Sequence, residues 1–406
     1  MTYSPPPEVL ERYAKLLIDY ALGEGEGIKQ GDVVRVIANE DARPLFIELC
    51  KAVWRSGGHV IQDYNVAEDS SSSLKRAFLE IASDEQLDFF PLEYVQAMFE
   101  QIDHYVVVES VRDPHALSGV DSAKLMRSQR AGGPAFEIVM GKIGAGELTW
   151  TGVLYGTPGM AAEARLSLEE YWGQIIKACF LDDEDPITRW REVNAQIQGQ
   201  AAWLSSLPIE RLHVLGEDAD LHVTLGQQRK WIAGGGANIP SYEVFTSPDW
   251  RGTEGWIRFN QPLYYNGPVI EGIELTFAAG RVVKATATTN ESLLREMVAV
   301  EGADRVGEFS LTDSRISRVD HFMASTLYDE NTGGQFGNTH IALGFAVPSM
   351  VFTGDPAALS AEESERLGFN QAPTHTDIVS TTDRTVTATM TDGSELVIYE
   401  NGRFTL

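Results

Sequence analysis

A chain of 406 residues is longer than one hydrophobic core ordinarily serves, so two domains are expected. Its 43% hydrophobic and 22% charged content fits a soluble globular protein and excludes a disordered one. A formal charge of −27 argues against nucleic acid and anionic membrane surfaces as partners; it is compatible with cations, and otherwise serves to keep a surface soluble.

In chain order, Val9, Tyr13, Leu16, Leu17 and Tyr20 recur at helical spacing and Gly23 can stop that helix. Asp32–Ala38 reads as a buried strand. Asp41 can cap a helix carrying Leu45, Leu49 and Val53, Gly57 and Gly58 end it, and His59–Tyr64 is the next strand. That β-α-β unit implies parallel strands. Further strands are expected at Tyr105–Glu109 and Thr151–Tyr155, and a helix with Pro186 at its first turn runs to about Leu204. Residues 1–207 therefore read as an α/β domain. The acidic Gly23–Gly27 stretch precedes a strand instead of following one, which rejects a phosphate loop.

Beyond residue 207 the pattern changes. Short alternating runs start at Leu212, Leu221, Gly255 and Ile273, with hairpin turns at Ala279-Gly280 and Asp392-Gly393 and a helix from Ser292 to about Val300. Residues 208–406 read as a β-rich α+β domain, expected to be the catalytic one. Trp231, Trp250 and Trp256 either line a pocket or, more plainly, pack this domain. Cys50 and Cys179 sit in apolar helical patterns and read as buried small hydrophobes. No secretory signal opens the chain and no apolar run approaches about 18 residues, so the expectation is a cytoplasmic protein with no membrane span.

Two strings near the C-terminus carry the chemistry. His375 and Asp377 in Thr374-His-Thr-Asp377 lie two apart, on one face of a strand, where an imidazole and a carboxylate can share a metal. Alone the pair means little, because 59 acidic residues and 8 histidines yield such a pair by chance. His340 lies in the glycine-rich stretch Gly333–Gly344, which fits a crowded site or an ordinary loop. Taken singly, Glu243 after Pro-Ser-Tyr and Glu308 after Gly307 read as solvated carboxylates, and His340 as a structural histidine. His213 and His222 read as satisfied structural side chains on alternating strands. Carboxylates and imidazoles without thiolates suit zinc, cobalt, manganese or iron, and not a closed structural zinc site.

Several motifs in order say more than any one. Tyr13-Ala-Lys-Leu-Leu17, Asp183-Glu-Asp-Pro-Ile-Thr-Arg-Trp190, Asn238-Ile-Pro-Ser-Tyr-Glu-Val-Phe-Thr-Ser-Pro248, Gly307-Glu308, Thr326-Leu-Tyr-Asp-Glu-Asn331, His340-Ile-Ala-Leu-Gly344 and His375-Thr-Asp377 together resemble the M29 metallopeptidases, the aminopeptidase T family, over nearly the whole chain. The resemblance implies a homodimeric aminopeptidase that removes N-terminal residues from peptides through water activated by two metals. The ligands it implies are Glu243, Glu308, His340, His375 and Asp377, with Glu308 also placed in the catalytic role. Zinc or cobalt is the expected metal, with manganese or magnesium as alternatives. Asp329 or Glu330 reads as a partner orienting a ligand histidine. Two departures stand out. Val347 occupies the position of a family tyrosine that can donate to an oxyanion, with Tyr328 as the neighbouring tyrosine, and the segment between Asn331 and His340 is longer than in aminopeptidase T. The family is also similar to 2,5-dihydroxypyridine dioxygenase, a reading in which His340, His375 and Asp377 alone hold one iron. A metal-binding protein without peptidase activity is the third reading.

Overall fold

The structure is a computed structural model that describes residues 3–265 and 269–406. The chain forms two compact units that interleave along the sequence. The first comprises Met1–Ala195, Gly234–Ser241 and His321–Tyr328, and the second Gln196–Ala233, Tyr242–Asp320 and Asp329–Leu406.

In the first unit, strands alternate with helices and build a five-stranded sheet in the order His59–Asn65, Val33–Asn39, His104–Glu109, Thr149–Leu154, Asn238–Ile239. Every pairing in it is parallel, as crossover connections require. The crossover helix Arg43–Arg55 buries Leu45, Leu49 and Val53, the stripe its spacing predicts. Its entry differs from the expectation at Asp41. A short helical turn, Glu40–Ala42, precedes the helix, and Asn39 caps that turn by accepting from the Asp41 N–H. The Asp41 carboxylate instead pairs with Arg112 at 2.8 Å.

Trp172 anchors this unit's core. It is 1% exposed, donates through Nε1 to the Gly156 carbonyl at 3.1 Å and meets Tyr155 edge-on at 4.9 Å. Both cysteines are buried and unpaired with each other, as their apolar settings imply. Cys179 Sγ lies 3.2 Å from the Tyr328 hydroxyl.

The second unit holds antiparallel sheets. One has eight strands and includes the hairpins predicted at Ala279-Gly280 and Asp392-Gly393. The other has five, in the order His375–Ser380, Asn338–Gly344, Val306–Thr312, Glu243–Thr246, Ile232–Ala233. Its two central strands are buried along their whole length. The tryptophans here pack: Trp231 is buried edge-on to Phe309 at 6.1 Å, and the Arg305 guanidinium sits 4.2 Å over the Trp250 ring. A parallel sheet and a large antiparallel sheet thus make a mixed α/β fold. Among the described residues, no helix is long and apolar enough to cross a membrane.

Truncating the first unit's anchor tests its core. Trp172→Ala is expected to cost about 3–5 kcal/mol, read as a lowered midpoint of chemical denaturation. A loss below about 1 kcal/mol would show that the ring is not a core element.

Candidate metal centre

The five-stranded sheet places the candidate residues by register. Thr312 pairs with Glu243, Ser310 with His340, Glu308 with Ala342, Ala342 with Asp377, and Gly344 with His375. Residues paired directly across a sheet, and those two apart along a strand, share a face. One face therefore carries Glu243, Glu308, His340, His375 and Asp377, while Phe309, Leu311, Ile341 and Leu343 are buried apolar residues on the other. Ala342 stands between Glu308 and Asp377, and its methyl group leaves room for the longer side chains to meet above it. Gly344, opposite His375, has φ +108°, and a Cβ there would come within 2.0 Å of the Thr374 carbonyl oxygen, so no side chain fits.

The side chains converge on Glu308. Its Oε1 lies 3.4 Å from His340 Nε2 and its Oε2 lies 3.8 Å from His375 Nε2. His340 Nε2 is also 3.2 Å from Glu243 Oε2, and His375 Nε2 is 3.4 Å from Asp377 Oδ1. Two groups of three result, Glu243–Glu308–His340 and Glu308–His375–Asp377, each with donor atoms within 4.8 Å of one another. Glu308 belongs to both. The solvated reading of the two glutamates is corrected by burial: Glu243 is 7% and Glu308 6% exposed. His340, 1% exposed, lies on a strand inside the cluster.

The far side of each imidazole is fixed. Asn338 donates its Nδ2 to the Asp329 carbonyl at 2.7 Å, which turns its Oδ1 toward His340 Nδ1, 3.3 Å away. An oxygen can only accept, so His340 Nδ1 carries a hydrogen, which leaves Nε2 as the nitrogen directed at Glu243 and Glu308. His375 Nδ1 likewise donates to the Phe345 carbonyl at 2.7 Å. Ser310 Oγ donates to Glu243 Oε2 at 2.9 Å. The expected carboxylate partner of a ligand histidine is thus replaced by an amide and a carbonyl, with Asp329 acting on His340 through its backbone. Ser310 and Asn338 escaped the sequence reading. The signal was available: each lies two residues from a candidate ligand on a strand, hence on its face.

Electrostatics shows what such a cluster needs. Burial, with Glu243 adding to it, raises Glu308 to about 7 against the hydrogen bond from His340. Burial beside Asp377 and Glu243 lifts Glu330 well above the usual carboxylate range, so Glu330 is a further member of the cluster. Burial works against the charge on His375 and Asp377 too, yet their mutual attraction raises His375 to about 10 and holds Asp377 low. Buried carboxylates outnumber the imidazoles, and the cluster retains protons to remain buried. Asp377 Oδ1 is nonetheless buried without a hydrogen-bond partner. Clustered carboxylate oxygens and imidazoles whose Nδ1 atoms are held from behind fit divalent metal ions taking the place of the retained protons.

The family departures also have locations. Val347 packs against an apolar cluster containing Phe245, Val351 and Phe352, and its N–H donates to Ser247 Oγ at 3.0 Å. In the segment between Asn331 and His340, Gly337 has φ +63°, and a Cβ there would come within 2.0 Å of the Tyr399 hydroxyl.

Comparison with known proteins adds an independent finding. The family model for thermophilic metalloprotease (M29) matches residues 7–404. The chain is 28% identical to aminopeptidase AmpS of Bacillus subtilis, covering 97% of this chain and 98% of that protein. It is 28% identical to aminopeptidase T of Thermus thermophilus, covering 98% and 99%. Among solved structures, wild-type AmpT from Thermus thermophilus superposes with a TM-score of 0.80 at 27% identity, covering 98% of this chain and 99% of that one. A 2,5-dihydroxypyridine dioxygenase from Pseudomonas putida KT2440 superposes with a TM-score of 0.50 at 14% identity, covering 98% and 96%, a likeness of fold alone.

Without metal, stability should fall as pH rises. Glu308 titrates near 7 in the folded protein instead of 4.5, and His375 near 10 instead of 6.5. Both are raised, so each contribution is complete below the ordinary value and is lost as pH climbs to the folded one. The thermal midpoint of chelated protein should therefore decline between about pH 4.5 and 10, and added zinc should raise it most at the alkaline end, where metal replaces protons. A midpoint that zinc leaves unmoved across this range would contradict the cluster's need for cations.

Proposed function

This chain belongs to the M29 family of metallopeptidases, and we propose that it is an aminopeptidase with two divalent metals, one held by Glu243, Glu308 and His340 and the other by Glu308, His375 and Asp377. The observation that carries this reading is Glu308's membership of both donor groups, with a different oxygen toward each histidine. Relatives named as aminopeptidases match along nearly their full length, which supports a peptide substrate. Imidazole and carboxylate donors favour zinc or cobalt, with manganese and magnesium as alternatives. Homodimer assembly and a cytoplasmic location belong to this reading by family analogy.

When bound, the metals supply Lewis acidity that polarises the scissile carbonyl and makes water a nucleophile near neutral pH. The chain's own residues prepare for that chemistry. Asn338 and the Phe345 carbonyl hold the two Nδ1 hydrogens, so each ring directs Nε2 at the carboxylates, and a metal bound there takes the place of the Nε2 proton. Ser310 fixes the Glu243 carboxylate. Glu330 stands outside both donor groups but feels the charges of Asp377, Glu243 and Glu308. It is the carboxyl suited to take a proton from the attacking water and return it to the leaving amine. The carboxylate-rich cluster also favours the ammonium end of a peptide, which directs cleavage to the first residue.

A one-iron dioxygenase site is less well supported. It needs His340, His375 and Asp377 on one ion, whereas His340 groups with the glutamates and the other two group apart. It also leaves Glu243 and Glu308 without a task.

Metal content and hydrolysis of leucine and arginine p-nitroanilides test the reading together. Wild type should bind two non-redox metals and release nitroaniline. Glu243→Ala and Asp377→Ala should each lose one metal, whereas Glu308→Ala should lose both and at least about 1000-fold in activity, or about 4 kcal/mol. Full activity in Glu308→Ala, or one iron with oxygen consumption on a dihydroxypyridine, overturns the assignment. Metal binding with no peptidase activity supports the third reading, in which Val347 marks a lost function.

Glu330→Gln separates the proton carrier from the ligands. It should keep both metals and an unchanged KM while kcat falls by about 10²–10⁴-fold. Loss of metal in this variant would make Glu330 a ligand instead.

A further inference from the structure

A separate group of donors lies on the eight-stranded sheet. Strands Ile209–Gly216 and Ala219–Thr224 are antiparallel neighbours, and His213 pairs directly with His222. Leu212, Val214, Leu221 and Val223 are all fully buried, so alternation places both imidazoles on the opposite, more open face. Their rings stack with centroids 4.2 Å apart and planes 15° from parallel. Asp220, on that same face, brings Oδ1 to 2.9 Å from His213 Nε2. One donor atom from each of His213, Asp220 and His222 lies within 4.8 Å of the other two.

The sequence reading makes both histidines satisfied structural side chains, but the structure satisfies only one. Stacking accounts for the ring contact, and Asp220 gives His213 a partner. His222 Nδ1 is buried with no hydrogen-bond partner, an arrangement folded proteins rarely leave unexplained. Burial, Arg211 and His213 together disfavour the protonated ring, so His222 keeps a lone pair at neutral pH. Directly paired side chains on antiparallel strands stand about 4.5–5.5 Å apart at Cβ, close enough for both rings to reach one ion. The His213 side chain is 33% exposed, so its ring can turn from Asp220 toward a shared ion without disturbing the buried face.

We propose that His213, Asp220 and His222 form an additional metal site that takes one divalent ion of the imidazole-preferring class, zinc or copper, from solution. Two imidazoles and one carboxylate leave the remaining coordination to water. The ion ties the two strands together and lies on a different sheet from the donors centred on Glu308. The proposal does not depend on the aminopeptidase reading.

The test uses the full chain, with zinc as the probe. Wild type, His213→Ala, His222→Ala and Asp220→Asn are equilibrated with zinc, freed of excess by dialysis and analysed for metal, with circular dichroism as the check on folding. Each alanine variant should hold one equivalent less than wild type and should hydrolyse leucine p-nitroanilide at the wild-type rate. Asp220→Asn, an exposed change that decides the matter if an alanine variant misfolds, should weaken that one equivalent by at least about tenfold. Equal zinc content and affinity in wild type and the folded variants overturn the proposal. If wild type shows no peptidase activity but the one-equivalent difference persists, the aminopeptidase reading fails and this site stands.

Discussion

The candidate metal centre depends first on the burial of acid. Glu243 and Glu308 are less than a tenth exposed, and Asp377 and Glu330 lie within electrostatic reach of them. In water these carboxylates would ionise and repel. In a dry sheet face burial favours the protonated form of Glu308 and Glu330, while Asp377 is held ionised by His375. The raised values at Glu308, Glu330 and His375 are the response of the protein without metal. Two divalent ions would discharge the same debt and leave the donors ionised.

Sheet register is what makes the cluster possible. Four adjacent strands each contribute at least one donor, and Ala342 and Gly344 occupy the cross-strand positions that larger side chains would fill. A slip of one residue in any of these strands would send its donors to the apolar face. The apolar residues Phe309, Leu311, Ile341 and Leu343 hold the register from behind, while Asn338, Ser310 and the Phe345 carbonyl set ring and carboxylate orientation from beside. Folding energy and ligand geometry are therefore expressed by the same strands.

Much of this was legible in the sequence because it is local. The stripe Leu45, Leu49, Val53 and the strands on either side of it report periodicity alone, and the structure has them where periodicity puts them. His375 and Asp377 share a face by spacing. Glu243 and Glu308 could not be read that way. Their burial depends on pairing between segments more than sixty residues apart, as in the Ser310–Glu243 contact, and only likeness to a family singled them out. Spacing places Glu330, like Asp329, only as a partner for a histidine, because its electrostatic neighbours Asp377, Glu243, His340 and Glu308 come from four separate strands. Asp41 does not cap the helix Arg43–Arg55, which has no side-chain cap: Asp41 lies in a preceding turn capped by Asn39, and its carboxylate pairs with Arg112, distant in sequence. No local signal marks Gly234–Ser241 and His321–Tyr328 as returning to the first unit, and none marks His222 as short of a partner.

The most direct test of the shared carboxylate is a crystal structure of the zinc-loaded protein with anomalous scattering collected at the zinc edge. The account predicts two peaks about 3.5–4 Å apart with the Glu308 carboxylate between them, one beside His340 and Glu243 and the other beside His375 and Asp377. A single peak ligated by His340, His375 and Asp377, with Glu308 turned away, would contradict it.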